Sequence, residues 1–413
     1  MRTADDATLH QLADQFDTPL YVYDLDEIDD RVTSLRRALP AAVDIAYAVK
    51  ANPSLGVLAR VAELGLGADI ASAGELEVVR RAGFDPSSVV FTGPGKRDDE
   101  LDEAVRCGLR AVTVESIGEL ERLIAVARRH GRRVPVLLRT AGLPGSDEVL
   151  VGSGSGKFGM RQLDLNRAAR LAASAAEIEL LGLHAFHASN VLDANELLDH
   201  AERTLATAAK LAWRTGIRFT LVDIGGGLGI PYAHEDRPLD ISYLGHGLGR
   251  LVNRWQANPA FHDLRLLVEP GRYLVGPAGI YLARVIDVKR ADEGMVAIID
   301  GGIHHLLRPA LVGQPQRLRL VSLGRRRTRR VPLTIAGPLC TGLDVLCRRV
   351  ELPLPETGDL VAVLDAGAYG FTESMPLFLS HPTPAEVVRD RGRPRLSRRR
   401  LDPTELLDLQ ARA

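Results

Sequence analysis

Short apolar runs alternate with amphipathic segments through the first two thirds of the chain. Each run ends in polar or glycine-rich residues, and the segments between them, such as 74–82 and 116–130, have a helical period. Strands that alternate with helices form parallel sheets, and eight such units favour a closed (β/α)8 barrel over an open sheet. The predicted barrel strands are residues 43–49, 67–71, 88–92, 111–114, 134–140, 179–186, 218–224 and 265–269.

The pattern changes after Gly276, where strand-like runs follow one another with few helices between them. Residues 280–288, 295–300 and 359–365 therefore predict a β domain. The run 19–24 is also strand-like but precedes the barrel, so we expect it to join that domain. The predicted division is an N-terminal strand region 1–26, a barrel 27–275 and a β domain 276–413.

The composition is that of an ordinary globular protein. The 413 residues are 46% hydrophobic and 25% charged, with a net charge of −1, which gives no global field for nucleic acid or a membrane. No apolar run reaches the roughly 18 residues of a membrane span. The polar start lacks a signal-peptide core, and the three cysteines lack disulfide or metal spacing. We expect a cytoplasmic protein.

Two strongly basic runs, 325–330 and 389–400, stand out from this balanced composition. The simpler interpretation is that they are the solvated faces of hairpins. The alternative is that they form a docking surface for an acidic partner protein. The sequence leaves both interpretations open.

Polar residues at the predicted strand ends indicate the chemistry. Active sites of such barrels lie at the C-terminal strand ends, and phosphates bind after strands seven and eight. Lys50 ends the first strand, the glycines 225–227 follow the seventh, and Glu269 and Arg272 follow the eighth. An amine for a Schiff base, a carboxylate for a ring nitrogen and a phosphate cradle predict an aldehyde cofactor that carries a phosphate.

Three further residues are candidates on weaker grounds. Arg139 and Asp69 point toward the same mouth by the strand-end rule, and we interpret them as a supporting charge pair near Lys50 and the cofactor oxygens. Cys340 lies in a glycine-flanked loop of the β domain, where it could be an acid or simply buried. The residues alone do not decide between these roles.

Together these motifs resemble the fold-type III pyridoxal-phosphate decarboxylases, which include diaminopimelate and ornithine decarboxylases. The resemblance runs from Pro19 to Val388, and its motifs lie at residues 47–52, 223–227, 269–273, 337–344 and 365–369. It implies a (β/α)8 barrel with a C-terminal β domain, as in alanine racemase. It also implies pyridoxal 5'-phosphate as the cofactor.

The resemblance also implies roles for individual residues. Lys50 would form the Schiff base, and Glu269 would pair with the pyridine nitrogen. The phosphate would be surrounded by Ser189, Gly226, Gly227, Gly271, Arg272 and Tyr369. In a head-to-tail homodimer, Cys340 and Asp344 would come from the second subunit, with Cys340 as proton donor. Lys157 would pair with Asp344 across that interface.

Three departures from the family pattern concern the substrate. In an alignment on residues 182–184, Phe186 takes the position of the histidine that stacks on the cofactor ring, and the adjacent His187 is the alternative. Thr341 replaces the carboxylate that receives the distal ammonium of diaminopimelate or ornithine. Arg308 is retained and could bind a substrate carboxylate or amide, but the motif for the distal end does not follow it.

These departures set the order of the functional hypotheses. We expect decarboxylation of an α-amino acid without a free distal ammonium, for example one tethered to a carrier protein in secondary metabolism. The alternative within amino-acid metabolism is diaminopimelate decarboxylase of lysine biosynthesis. A third hypothesis is a non-catalytic homologue that acts by binding. It predicts loss of the lysine or of the phosphate site, and the sequence retains both.

Overall fold

The computed structural model describes residues 4–141, 156–292, 294–322 and 329–410. Within these residues the helices are α1 Asp6–Phe16, α2 Leu25–Ala38, α3 Leu55–Glu63, α4 Ala73–Arg81, α5 Asp98–Cys107, α6 Ile117–Arg129, α7 Gln162–Ser174, α8 Ala194–Thr215, α9 Ile241–Gln256, α10 Arg272–Val275, α11 Arg308–Val312 and α12 Pro403–Leu407. The strands are β1 Leu20–Asp24, β2 Val43–Ala48, β3 Gly67–Ile70, β4 Val89–Phe91, β5 Ala111–Val114, β6 Val134–Arg139, β7 Ile178–His184, β8 Leu221–Asp223, β9 Arg265–Val268, β10 Gly279–Ala291, β11 Gly294–Ile299, β12 Leu318–Val321, β13 Arg330–Ala336, β14 Val345–Pro353, β15 Leu360–Val363, β16 Ala385–Asp390 and β17 Arg393–Arg398.

Strands β2 to β9 form a closed parallel barrel, which confirms the predicted fold. The barrel closes where β2 pairs with β9, with Val43 beside Leu266. All eight predicted strands are present, and the largest difference is three residues, at the start of β8 (221 rather than 218). Strands that are buried on both faces read as nearly continuous apolar runs, which is why the sequence located them so closely.

Capped helix ends and a closely packed interior explain how the sequence forms this barrel. Ser72 and Ser116 cap α4 and α6 by accepting hydrogen bonds from backbone N–H groups of the first helical turn. Gly108 and Gly216 end α5 and α8 in the left-handed conformation, each with φ of 69°. The interior is packed by a cluster of fully or almost fully buried side chains, namely Ala46, Val90, Ala111, Leu137, Leu221 and Leu267.

Outside the barrel, the remaining strands form a second structural unit. It is built on a mostly antiparallel sheet with the strand order β14-β13-β11-β10-β1-β16-β17. Strand β15 pairs with β10 and β12. Strand β1 pairs antiparallel with β10 and parallel with β16, so the run 19–24 lies inside this sheet. The C-terminal sheet domain confirms the other half of the predicted fold. Its core includes Leu9, Leu12, Leu20, Val22, Ile280, Leu282, Leu360 and Val387.

The described residues divide into two compact units. One lies within Met1–Asp30, Pro231–Asp236 and Leu274–Ala413, and the other within Arg31–Ile230 and Arg237–Tyr273. The sequence pattern does not assign the short segment Pro231–Asp236 to the first of these units, because the segment is a tight turn without any apolar period. Asp236 holds this turn by accepting the backbone N–H groups of Tyr232 and Ala233, both at 2.9 Å.

Hydropathy gives a negative result on membrane crossing. Among the residues that the structure describes, no helix is both long enough and apolar enough to cross a bilayer.

Candidate active site

Lys50 lies in the 3-10 turn Val49–Ala51 that follows β2, at the C-terminal end of the first barrel strand. Its Nζ lies 2.6 Å from Oδ2 of Asp69 on β3, and the Asp69 side chain is only 1% exposed. Burial raises the pKa of Asp69, as does Glu269, while Lys50 opposes this shift. The structure therefore gives the candidate amine a fixed, buried carboxylate partner.

Arg139 does not pair with Asp69, so the supporting charge pair inferred from the sequence is wrong. Its Nη1 lies 2.8 Å from Oε1 of Glu115, and both side chains are buried. Glu115 also accepts the backbone N–H groups of Gly93 and Gly159, each at 3.0 Å. The reason is strand order. Glu115 follows β5, the neighbour of the strand that carries Arg139, whereas Asp69 lies on β3.

Lys157 and Phe158 lie beside this pair. The guanidinium of Arg139 and the ammonium of Lys157 each lie 4.8 Å from the centre of the Phe158 ring. Both contacts have the geometry of cation–π interactions. Lys157 is exposed in the single subunit.

The glycines after β8 and β9 form a cradle that side chains would fill. A Cβ at Gly226 would lie 2.5 Å from the carbonyl oxygen of Glu269, and one at Gly271 would lie 2.7 Å from Cβ of Ala51. Gly227 adopts a φ of +96°, which favours glycine, and a Cβ there would meet the backbone of Ala188. Such a cradle lets backbone N–H groups approach an anion closely.

Arg272 supplies the positive charge beside the cradle. It is the first residue of α10 and is only 4% exposed. Its Nη2 donates a hydrogen bond of 3.2 Å to Oγ of Ser189. The structure thus brings together Ser189 and Arg272, two of the residues predicted to surround the phosphate.

Glu269 is buried next to two residues that the sequence did not single out as site residues. His184 ends β7 with its Nε2 3.6 Å from Oε1 of Glu269, and Asp223 ends β8. One ring nitrogen of His184 and one carboxylate oxygen from each of Asp223 and Glu269 all lie within 4.8 Å of one another. Each is a polar residue at the last position of an apolar strand or just after it, and that signal could have identified His184 and Asp223.

The pKa values of the two acids move in opposite directions. Burial raises the pKa of Asp223 well above its usual value, and the neighbouring Glu269 raises it further. Burial also acts to raise the pKa of Glu269, but His184, Lys50 and Asp223 outweigh it and lower this pKa to about 2. These opposite shifts favour an ionised Glu269 beside a protonated Asp223.

Phe186 and His187 follow β7 and point to different partners. His187 places Nε2 at 2.6 Å from Oε1 of Glu196 and stacks on His200 with ring centres 5.3 Å apart. Phe186 is half-buried, and a Cβ at Gly225 would lie 3.2 Å from its ring. The imidazole of His187 is thus engaged with α8, where Glu196 and His200 lie.

In the second unit, Cys340, Thr341 and Asp344 occupy the loop between β13 and β14. Cys340 is exposed and Thr341 is half-buried. Asp344 is buried, and its two carboxylate oxygens accept the backbone N–H groups of Ile303 and Leu339, each at 2.8 Å. Asp344 is therefore already occupied within its own subunit, and its pairing with Lys157 stays a prediction.

Arg308 also has partners within its own unit. Its Nη1 lies 2.8 Å from both carboxylate oxygens of Glu373, and its Nε donates to Gln314 at 3.2 Å. The guanidinium lies 4.7 Å from the centre of the Tyr369 ring. Any substrate group that binds Arg308 would have to share the guanidinium with Glu373. The sequence pattern did not identify Glu373 as a partner of Arg308.

The residues at the barrel mouth fit pyridoxal phosphate. The glycine cradle beside buried Arg272 suits the phosphate, and Lys50 suits the aldehyde. Ionised Glu269 suits the ring nitrogen. Fold and site together define a barrel enzyme of the pyridoxal-phosphate class.

Comparison with known proteins specifies the family. Residues 25–276 match the family model for the pyridoxal binding domain of the pyridoxal-dependent decarboxylases. The chain therefore belongs to the pyridoxal-dependent decarboxylases, which confirms the resemblance, the cofactor and the enzyme class.

Individual relatives differ in substrate. The L-glutamyl-[BtrI acyl-carrier protein] decarboxylase of Niallia circulans is 32% identical over 96% of this chain and 94% of that protein. The diaminopimelate decarboxylase of Pseudomonas aeruginosa is 37% identical over 98% of this chain and 95% of that protein. The crystal structure of the Helicobacter pylori diaminopimelate decarboxylase complexed with L-lysine has a TM-score of 0.88 and 27% identity, and covers 97% of this chain and 98% of that one.

Proposed function

We propose that this enzyme decarboxylates an α-amino acid that lacks a free distal ammonium, and specifically one tethered to an acyl-carrier protein. The observation that carries the proposal is the Cys340–Asp344 loop. Its one carboxylate, Asp344, is buried and accepts two backbone N–H groups, while Thr341 offers only a hydroxyl. An unpaired buried ammonium costs several kcal/mol, so this loop disfavours substrates that carry one.

The barrel residues take roles that follow from their positions. The cofactor, once bound, supplies the electron sink for decarboxylation. Lys50 holds its aldehyde, Glu269 its ring nitrogen, and Arg272 with Ser189 its phosphate. We assign the ring face to Phe186, because His187 is already paired with Glu196.

We further propose a homodimer in which the exposed Cys340 completes the site of the second subunit as proton donor, with Tyr369 at the phosphate. A mixed dimer tests this arrangement. Lys50→Ala and Cys340→Ala subunits, each inactive alone, should regain activity when they are unfolded and reassembled together. If mixing restores no activity although size measurements show dimers, Cys340 does not act across the interface.

The exposed part of the second basic run suits an acidic carrier protein. Arg389 and Arg398 are engaged by Asp24 and Glu386. Arg391, Arg393 and Arg395, which are all exposed, make no ion pair among the described residues. Residues 325–328 of the other basic run lie outside the described residues. The three exposed arginines of the β16–β17 hairpin are therefore the docking surface that we propose.

Charge reversal tests the docking surface. Converting Arg391, Arg393 and Arg395 to glutamate should lower kcat/KM for a carrier-linked glutamate. The same variant should leave kcat/KM for the matching glutamyl-pantetheine thioester unchanged, since that small substrate needs no docking. An equal kcat/KM on the carrier-linked substrate before and after reversal would rule out this surface.

Diaminopimelate decarboxylation is the second candidate, favoured by the 37% identity to the Pseudomonas aeruginosa enzyme. Measuring carbon dioxide release distinguishes the two candidate functions. The substrates are meso-diaminopimelate, ornithine, lysine, arginine, glutamate and carrier-linked glutamate, and Lys50→Ala is the blank. We expect release from carrier-linked glutamate. Release from diaminopimelate alone would overturn the proposal and the interpretation of Thr341.

A further inference from the structure

The cluster of His184, Asp223 and Glu269 contains more ionisable groups than binding a ring nitrogen requires. All three side chains are nearly or completely buried, at 1%, 0% and 4% exposure. Within the described part of the chain, both ring nitrogens of His184, Oδ2 of Asp223 and Oε1 of Glu269 have no direct hydrogen-bond partner. Buried polar atoms without partners are rare, so this grouping calls for an explanation.

The geometry follows from the strand register. His184 of β7 lies beside Asp223 of β8, and Glu269 follows β9, the next strand of the barrel. Oδ1 of Asp223 accepts the backbone N–H of Gly225 at 2.8 Å, which fixes the carboxyl group and leaves Oδ2 for the cluster. The backbone N–H of Glu269 donates to the carbonyl oxygen of Gly225 at 2.9 Å, so one glycine anchors both acids.

The position of one proton in this cluster decides what Glu269 can do. Two carboxylates this close and this buried cannot both be ionised without a large cost. If the proton were on Glu269, the glutamic acid would be a neutral donor and would leave the ring nitrogen unprotonated. If the proton is on Asp223, Glu269 is an anion that keeps the ring nitrogen protonated.

We propose that Asp223, as a neutral acid, and His184, as an N–H donor, are positioning residues that hold Glu269 in its ionised form. The opposite pKa shifts of Asp223 and Glu269 support this distribution of protons. The other ionisable groups that act on the cluster are Lys50 and Asp69, which pair with each other at 2.6 Å. The inference depends on the family's cofactor and not on the proposed substrate.

Substitution at Asp223 separates a neutral acid from an anion. Asparagine can still accept the N–H of Gly225 and donate to Glu269, so Asp223→Asn should behave like the parent. Asp223→Ala loses the bond from Gly225 and the carboxyl group beside Glu269, and should weaken cofactor affinity by about 10- to 100-fold, the equivalent of one charge-assisted hydrogen bond. If Asp223→Asn is impaired as much as Asp223→Ala, Asp223 acts as an anion and the proposal is wrong.

A matched pair at His184 tests the donor. His184→Gln retains an N–H group, whereas His184→Leu does not. The readout is the 15N chemical shift of pyridoxal phosphate labelled at the ring nitrogen, with Glu269→Gln as the reference for an unprotonated ring. We expect His184→Gln to match the parent and His184→Leu to move toward the reference.

Folding is checked by thermal unfolding of each cofactor-free variant, and the His184 pair decides the matter if an Asp223 variant does not fold. A purely structural role would change the melting temperature but leave the 15N shift of the bound cofactor unchanged. An unchanged 15N shift in His184→Leu would therefore overturn the proposal.

Discussion

The buried imidazole of His200 should make the barrel sensitive to acid. His200 lies on α8 and is 3% exposed, and its Nε2 donates to the carbonyl oxygen of Ile224 at 3.2 Å. Burial, followed by the neighbouring His187, lowers the pKa of His200 from 6.5 to about 4. The folded barrel therefore keeps this ring neutral at a pH where an unfolded chain would protonate it.

The sign and size of the effect follow from proton linkage. The unfolded chain binds a proton near pH 6.5 and the folded chain only near pH 4, so the unfolded state holds more protons between these values. The stabilisation is present above the unfolded pKa and is lost as the pH falls. A shift of this size corresponds to about 3 kcal/mol in all, of which about 2 kcal/mol is lost between about pH 7.5 and about pH 5.

The perturbation is His200→Gln, which retains a donor for Ile224 but cannot be protonated. Both tryptophans of the chain, Trp213 and Trp255, lie on the barrel helices α8 and α9, so their fluorescence reports on the barrel unit. Urea unfolding of the cofactor-free protein at a series of pH values gives the free energy of unfolding. His246→Gln, at an exposed position of α9, is the matched control.

We expect the parent and the control to lose about 2 kcal/mol more than His200→Gln between about pH 7.5 and about pH 5. The difference in the free energy of unfolding between the parent and His200→Gln should therefore change by this amount over the interval. Parallel stability curves for the parent and His200→Gln over this interval would refute the reasoning. They would mean that the buried ring is already compensated in a way that the contacts do not reveal.

Two further predictions concern the barrel's packing and its cofactor cradle. Glu119→Gln should lower the free energy of unfolding by about 3–5 kcal/mol in the same urea assay, because it removes the charge paired with the buried ammonium of Lys96 at 2.7 Å. A decrease below about 1 kcal/mol would contradict this. Gly226→Ala should weaken pyridoxal-phosphate binding at least about tenfold, because the new Cβ would meet the carbonyl oxygen of Glu269. A cofactor titration measures this change in affinity. Gly249→Ala on α9, where a Cβ meets nothing within 4 Å, is the control and should instead stabilise the protein by about 0.5–1 kcal/mol.

Much of the fold and the frame of the site could be predicted because one physical feature encodes both. A strand that is buried on both faces ends where its apolar run ends, and in a barrel that end is also the active-site mouth. Lys50, Glu269 and Arg272 follow directly from this coincidence. Their side-chain partners do not, since partners come from lateral neighbours around the barrel.

Arg139 and Asp223 show how side-chain partners depend on strand order. The strand-end rule alone places Arg139 and Asp69 at the same mouth, but Arg139 pairs with Glu115, which follows the adjacent strand. Asp223 begins the glycine-rich motif 223–227, and its position beside His184 and near Glu269 follows from the order of β7, β8 and β9. In both cases the predicted topology, and not the motif, identifies the neighbours.

The Cys340–Asp344 loop shows why the fold alone does not determine the substrate. Gly302 and Gly337 leave room for the Asp344 carboxylate, which a Cβ at either position would contact, and Asp344 anchors the loop through backbone N–H groups. The Thr341 hydroxyl accepts the long hydrogen bond from the backbone N–H of Leu343, at 3.4 Å, whereas Asp344 makes the two shorter ones, so the Asp344 anchor does not depend on the side chain at position 341. Relatives at 32% and 37% identity can therefore share this architecture and act on different amino acids.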